Sequence, residues 1–316
     1  MSCNLVTGGL GFIGIHLAKA LAERGERSIL FDVAASPLLE GQLGERCSVV
    51  RGDLANWAQV MDVAKSHGIT CIYHTGAMLP PASEQSTSAA FAANVVGTFN
   101  VLEAARLCGI GPVIYTSSIA AFGPTEADCV SDSAAQHPAN MYGTTKVCGE
   151  RLCEFYRRRY DLDIRAVRFE SVIGAGRPPG GGITAYTSRV IEDTALGSPY
   201  VVNVHPVART AILYVNDAVE AILRIRDADR AGLTQCVYNV YGFTASAREL
   251  VDAVFRHVPG AQVRFEPDEK VTASMKTLPA VLDDQPARAD WGWSPRYDLD
   301  AAVLDFVQQI AARRER

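Results

Sequence analysis

The first half of the chain alternates short apolar runs with longer amphipathic stretches. The runs at residues 4–7, 28–33, 48–52, 71–74, 112–117 and 163–169 are continuously apolar, as in strands buried on both faces. Between them, residues 13–24, 56–66, 87–108 and 142–160 carry helical periodicity. This order predicts an α/β fold, a doubly wound parallel sheet with helices on both faces. After Phe169 the texture changes. Residues 174–182 read Gly-Ala-Gly-Arg-Pro-Pro-Gly-Gly-Gly, a loop rather than regular structure. Helical patterns follow at 184–196, 217–226, 245–258 and 300–314, with short strands between. The expected organisation is a first domain over 1–169 and a smaller, interleaved C-terminal lobe over 170–316. That lobe covers the strand C-terminal ends, with residues 210–240 returning to the sheet.

The turn between the first strand and first helix reads Thr7-Gly8-Gly9-Leu10-Gly11-Phe12-Ile13-Gly14. Glycines 8, 11 and 14 fall at spacing three and three. Such a turn tolerates no Cβ, lets the backbone approach a pyrophosphate, and presents free N–H groups at a helix N-terminus. A dinucleotide is the implied ligand. The second strand ends in Asp32, eighteen residues after Gly14. A carboxylate there accepts from both adenosine ribose hydroxyls and repels a 2′-phosphate, which selects NAD over NADP. Asp53 suits either the adenine amino group or the N-cap of the 56–66 helix. Thr75, Gly76 and Ala77 end the fourth strand with small residues that admit the cofactor. Phe12, Ile13, Leu54, Thr116 and Phe169 complete the cofactor face. His74 reads as a packed structural residue.

Tyr142 and Lys146 stand four apart at the start of a helix and share one face. Free tyrosine titrates near ~10, too high for a base at neutral pH, and a nearby ammonium lowers that value. Ser117 and Ser118 end the preceding strand, where a hydroxyl can bond a substrate oxygen. Together these groups can take a proton from an alcohol while hydride leaves its carbon for NAD.

The bulk properties narrow the field without naming a reaction. A net charge of −5, with the basic tail Arg313, Arg314 and Arg316 read as a solvated helix end, gives no nucleic-acid patch. No apolar stretch approaches the ~20 residues of a membrane span, and a strand at the very start leaves no room for a signal peptide. Eight cysteines without a Cys-x-x-Cys pair suggest a reduced, cytoplasmic protein. The six histidines show no metal-ligand spacing, so no metal is expected.

On these motifs the chain resembles the extended branch of the short-chain dehydrogenases/reductases, the NAD-dependent epimerase/dehydratase family. The resemblance runs nearly end to end: the glycine turn, Gly52-Asp53-Leu54, Asn94-Val95-Val96-Gly97-Thr98, Thr116 through Gly123, Tyr142 through Lys146, and Tyr214-Val215-Asn216-Asp217. It implies Ser118 rather than Ser117 as the active hydroxyl, and Asn94 as a cofactor-side residue that buttresses the active-site backbone. It also implies a homodimer paired through helices 87–108 and 142–160.

The later segments are similar to the short-chain type of L-threonine 3-dehydrogenase. The similarity lies in Pro178-Pro179-Gly180-Gly181-Gly182, in Arg209 ahead of Tyr214, and in the run from Ala287 to Leu299. Sugar-nucleotide epimerases usually carry asparagine where Ser171 stands; Arg177 and Arg209 could still bind a diphosphate. The threonine enzymes continue Thr-Thr-Asp-Tyr after the glycines, whereas this chain reads Ile183-Thr184-Ala185-Tyr186. An acidic partner for a substrate ammonium is thus replaced by alanine. Their serine-bearing segment after the fourth strand becomes Met78-Leu79-Pro80-Pro81, a more apolar wall. Candidate substrate contacts are Met78, Ser118, Ser171, Thr184, Tyr186 and Arg209. Trp291 and Trp293 either cap the pocket or pack in the core. The expected activity is NAD-dependent oxidation of a secondary alcohol on a small hydroxy or amino acid. An NAD-retaining nucleotide-sugar epimerase, a dehydratase and a non-catalytic NAD sensor are the alternatives.

Overall fold

The computed structural model describes residues 3–34, 44–127, 129–177 and 182–314. The loop segment 178–181 and the last two residues of the basic tail lie outside the described residues. Seven strands form one sheet: β1 (Cys3–Thr7), β2 (Arg27–Asp32), β3 (Cys47–Arg51), β4 (Ile69–His74), β5 (Val113–Ser118), β6 (Ile164–Phe169) and the strand Val237–Asn239. Their order is β3-β2-β1-β4-β5-β6 followed by Val237–Asn239, and every pairing is parallel. Strand order reverses between β1 and β4, so a crevice opens at their C-terminal ends, where Thr7 pairs with His74. β1 and β6 are buried along their whole length, and in β6 the burial takes in Arg165 and Arg168, which are not part of any apolar run. β3 departs from that expectation. It is an edge strand, and its residues are half-buried or exposed.

The helical stretch expected at 87–108 is not one regular helix. Thr87–Phe91 and Gly97–Cys108 are α-helical, and a π-turn at Ala92–Val96 joins them. Such a widened turn re-aims side chains and is frequent at functional sites. Here it holds Asn94. The helix after β3 is capped by Asn56, whose side chain accepts from the Gln59 N–H at 3.3 Å, so the N-cap alternative for Asp53 is corrected.

Beyond β6 the chain builds a three-stranded sheet, with Arg209–Tyr214 between Ser171–Ile173 and Phe243–Ser246. The helices Tyr186–Ala195, Ala247–His257 and Leu299–Arg314 pack on one another beside it. Residues 210–214 stay with this small sheet. The return to the large sheet is made by the helix Val215–Asp227, which packs on the first helix, and by Val237–Asn239, which pairs with β6. One hydrophobic cluster runs from Val6 and Leu17 through Ile173 and Ile191 to Val254 and Phe306, so the two sheets share a core. Trp293 is buried in that core. Trp291 stacks on it at 5.8 Å and meets Tyr238 edge-on at 6.0 Å. The tryptophans are therefore core packing and not a cap over the crevice.

Candidate active site

The glycine turn brings two backbones into contact. Gly8 has φ +63°, and a Cβ on it would lie 2.5 Å from the Gly76 Cα. Gly11 begins the Phe12–Glu23 helix with no side-chain cap, so the first N–H groups are presented to the crevice by backbone alone. Asp32 ties the turn to the end of β2. Its carboxylate accepts from the N–H groups of Leu10 and Ala34, both at 3.0 Å. Asp53 is exposed and accepts from the Ala55 N–H at 2.9 Å. Leu54 lies against the turn, where its Cδ1 would be 2.7 Å from a Cβ on Gly76. Thr75 donates to the Thr7 carbonyl at 2.7 Å and thereby locks the ends of β1 and β4 together.

Behind this surface runs a buried polar layer. His74 bonds Thr7 Oγ1 through Nδ1 at 2.7 Å and Thr98 Oγ1 through Nε2 at 2.9 Å. Burial, reinforced by the Lys146 charge, pushes its pKa down to about 3, so the ring is neutral and structural. The Asn94 amide accepts from the Met78 N–H at 2.7 Å and donates to the Met78 carbonyl and to Thr145 Oγ1, both at 3.0 Å. Asn94 thus fixes the backbone at the crevice wall, with its own polar atoms turned to protein.

Strand alternation sends Ser117 and Ser118 to opposite faces. Ser117 is buried and donates to Glu150, which also holds Arg168 in a two-point ion pair at 2.8 and 2.9 Å. Ser118 is half-buried, accepts from the Ala120 N–H at 3.2 Å and lies near enough to Tyr142 to favour its ionised form. Tyr142 opens the Met141–Tyr160 helix, which Asn140 caps by accepting from the Gly143 N–H at 2.7 Å. Lys146 is buried one turn later. Its Nζ donates to the Thr116 carbonyl at 2.6 Å and lies 5.6 Å from the Tyr142 ring centre. Phe169 pairs with Ser118 across β5 and β6.

The electrostatics differ from the simple tyrosine–lysine picture. Burial pushes Tyr142 up to about 12, and the influences that pull it down are the Ser118 hydroxyl and the charge of Arg177. Burial lowers Lys146 to about 8, against the favourable field of Glu150. The downward pull on the phenol therefore comes from outside the Tyr-x-x-x-Lys pair.

The residues expected at the substrate scatter. Met78 is half-buried on the crevice wall. Ser171 bonds Thr187 Oγ1 at 3.2 Å, and Thr187 in turn donates to the Thr184 carbonyl at 2.7 Å. Tyr186 is buried, with its hydroxyl committed to Thr210 at 2.8 Å. Arg209 is exposed at the start of the Arg209–Tyr214 strand, where it pairs with Ser246. Arg177, which the sequence offered only as a possible diphosphate ligand, folds onto Ser171, and Glu84, not picked out from sequence, accepts from the N–H groups of Met141 and Tyr142 at 3.0 and 3.2 Å. Neither belongs to a recognisable motif; only the fold brings them to the tyrosine.

Comparison with known proteins places this geometry. The model of the NAD dependent epimerase/dehydratase family matches residues 4–240. The chain belongs to that family. A mitochondrial L-threonine 3-dehydrogenase of Sus scrofa is 32% identical over 309 residues, covering 96% of this chain and 81% of the relative. Among solved structures, the holo form of a GalE-like L-threonine dehydrogenase from Cupriavidus necator superposes with TM-score 0.89 at 32% identity, covering 97% of this chain and 99% of that one. A monomeric L-threonine 3-dehydrogenase from a metagenome gives TM-score 0.90 at 28% identity, covering 98% and 99%.

As an NAD-dependent family member, the chain carries a crevice that fits the cofactor. The Gly8–Gly76 contact leaves no room for a Cβ, the first helix is uncapped by any side chain, and Asp32 stands at the end of β2. Among the described residues no helix is long and apolar enough to cross a membrane.

Proposed function

We propose that this protein oxidises the secondary alcohol of a small hydroxy or amino acid, in the manner of the threonine dehydrogenases it resembles. The observation that carries the reading is buried Lys146, bonded to the Thr116 carbonyl at 2.6 Å and 5.6 Å from the Tyr142 ring centre, beside Ser118 at the end of β5. In this reading Gly8, Gly11, Phe12, Ile13, Gly14, Asp32, Asp53, Leu54, Thr75, Gly76, Ala77, Thr116 and Phe169 hold the cofactor, and residues 170–316 form the substrate lobe. When bound, NAD supplies the hydride acceptor. Tyr142 removes the hydroxyl proton, Ser118 orients the substrate oxygen, and Lys146 keeps a positive charge beneath both while reaching the ribose. Asn94 keeps Met78 and Thr145 in register behind them. Ala185 offers no carboxylate to a substrate ammonium, and an unpaired buried ammonium is costly. The pocket therefore suits hydroxy acids as well as amino acids.

The test is a panel of alcohols scored by NADH absorbance. NADH should form with L-threonine or a 3-hydroxy acid. The reading is overturned if the panel yields none while a nucleotide sugar turns over with NAD retained through purification, which is the epimerase outcome.

The same reading includes assembly and compartment. Phe91, Phe99, Leu107, Phe155 and Tyr160 are exposed apolar residues on the two helical stretches 87–108 and 142–160. A second copy covers them in the proposed homodimer. Light scattering should give twice the 34.0 kDa chain mass; a single-chain mass would place it with its monomeric relative. Eight free thiols suit a reducing compartment, and the cytoplasm is our assignment.

A further inference from the structure

Arg177 leaves the loop after the Ser171–Ile173 strand and folds back over that strand. Its Nη1 donates to Ser171 Oγ at 3.3 Å and to the Val172 carbonyl at 3.0 Å. Ser171 stands two residues beyond Phe169, and Phe169 pairs with Ser118. The guanidinium is thereby carried to the end of β6 where Ser118 and Tyr142 meet. It is close enough that it and the Tyr142 phenolate each favour the other's charged form. Burial lowers Arg177 to about 10, which leaves it cationic at neutral pH. The 184–187 segment reaches the same place, because Ser171 bonds Thr187 Oγ1 at 3.2 Å and Thr187 donates to the Thr184 carbonyl at 2.7 Å. A cation stands beside the base, on a surface where the threonine enzymes' acidic residue is missing.

We propose that Arg177 binds the carboxylate of the substrate, one or two carbons from the hydroxyl that Tyr142 deprotonates. The inference rests on the dehydrogenase reading above and names its substrate class: small 2- or 3-hydroxy acids, with or without an amine. A planar guanidinium matches a carboxylate in charge and geometry. A nucleotide sugar fits less well, because a whole hexose ring separates its reacting carbon from its diphosphate. In the reaction the carbinol C–H bond breaks with its electron pair going to NAD, and the O–H proton goes to Tyr142. The carboxylate keeps its charge throughout, so Arg177 acts on binding and orientation.

The experiment compares 3-hydroxybutyrate and L-threonine with their methyl esters, using NAD-saturated wild type, Arg177→Gln and Arg177→Lys. Wild type should prefer each acid over its ester by about 100-fold in kcat/KM, the scale expected for losing one partner of a buried charge pair. Most of that difference should lie in KM. In Arg177→Gln the acid-to-ester ratio should collapse to near one, and Arg177→Lys should fall between. Butyrate, which has no hydroxyl to oxidise, gives a second readout by calorimetry. It should bind wild type and Tyr142→Phe but not Arg177→Gln. Equal turnover of acid and ester by wild type, or an unchanged ratio and unchanged butyrate binding in Arg177→Gln, overturns the proposal. If wild type oxidises none of these alcohols yet binds butyrate through Arg177, the dehydrogenase reading fails and the carboxylate site stands. If Arg177→Gln instead loses only a nucleotide diphosphate sugar, the site is a diphosphate site and the proposal is wrong.

Discussion

The two sides of the crevice are built by different means. On the cofactor side the contacts are made by backbone: the Gly8 turn against Gly76, the uncapped helix start, and β1 against β4. A single Cβ in the wrong place breaks it. On the side we propose for the substrate the contacts are made by side chains from separated segments: Met78, Arg177 on Ser171, and Thr187 on Thr184. There, exchange of one side chain changes the ligand and spares the fold. Backbone constraint yields a site that keeps its ligand class; side-chain construction yields one that can change its substrate. This is why the chain shares a family with both dehydrogenases and epimerases.

The sharpest way to separate chemistry from cofactor binding is Tyr142→Phe. Loss of a positioned base costs roughly 10²–10⁴-fold in rate, so kcat should fall by that order while NAD affinity, read by fluorescence titration, is kept. Near-native turnover would remove Tyr142 from the mechanism. The pH profile carries a sign. A phenol held up at about 12 by burial is scarcely ionised at neutral pH, so kcat/KM should climb with pH. In Arg177→Gln the rising limb should move to higher pH, because one of the influences that pull the phenol down is gone.

Next in size is Glu150→Ala, which tests the frame under both sides. It would leave the Arg168 guanidinium, which is 3% exposed, with Asp132 at 3.6 Å in place of its two-point partner, and free the Ser117 hydroxyl. Breaking a buried ion pair by removing one partner costs about 3–5 kcal/mol. Chemical denaturation should show that loss. A change under about 1 kcal/mol would mean that water or a neighbour takes the place of the carboxylate.

On the cofactor side, Gly14→Ala is the discriminating change. Its new Cβ would lie 2.4 Å from the Gly8 carbonyl oxygen, a backbone atom that moves only with the turn. Overpacking of this kind costs about 1–3 kcal/mol, and NAD affinity should fall with it. The conservative Thr184→Ser on the other side should leave NAD affinity intact and alter only substrate KM. If both variants changed NAD affinity alike, the division between backbone-built and side-chain-built faces would not hold.

The same division explains what was legible in the chain. The glycine spacing, Asp32 and the Tyr142–Lys146 pair are local patterns, and the strand–helix alternation predicts a parallel sheet with helices on both faces. Arg209 stands at a family-like spacing and begins the central strand of the small sheet opposite Ser246, whereas Arg177, inside an irregular loop, folds onto Ser171. Neither position can be read from local periodicity, because each depends on how distant strands pair. Ser118 was set apart from Ser117 by the family resemblance, and strand alternation gives the physical reason the two differ. Asn94 required a π-turn that composition does not announce.

Glu84 offers the smallest effect and a clean link between the two sides. It sits in the short helix Ala82–Gln85, immediately after the apolar Met78–Pro81 segment, and its carboxylate receives the first two N–H groups of the catalytic helix. Burial works to raise its pKa, but the N–H bonds from Met141 and Tyr142, with one from Ser83, outweigh it and hold the carboxyl below its ordinary value. A depressed carboxyl stabilises the fold above its unfolded pKa and loses that contribution as pH falls through the folded value. Glu84→Ala should therefore cost about 1 kcal/mol at neutral pH, the usual worth of a helix-capping acceptor at an exposed position. That difference from wild type should shrink to nothing in acid. Because the crevice wall and the tyrosine would lose their common tether, KM for the hydroxy acid should rise a few-fold while NAD affinity stays the same. A stability difference that persisted unchanged below pH ~4, the ordinary glutamate range, would show that packing and not the charged cap joins the wall to the helix.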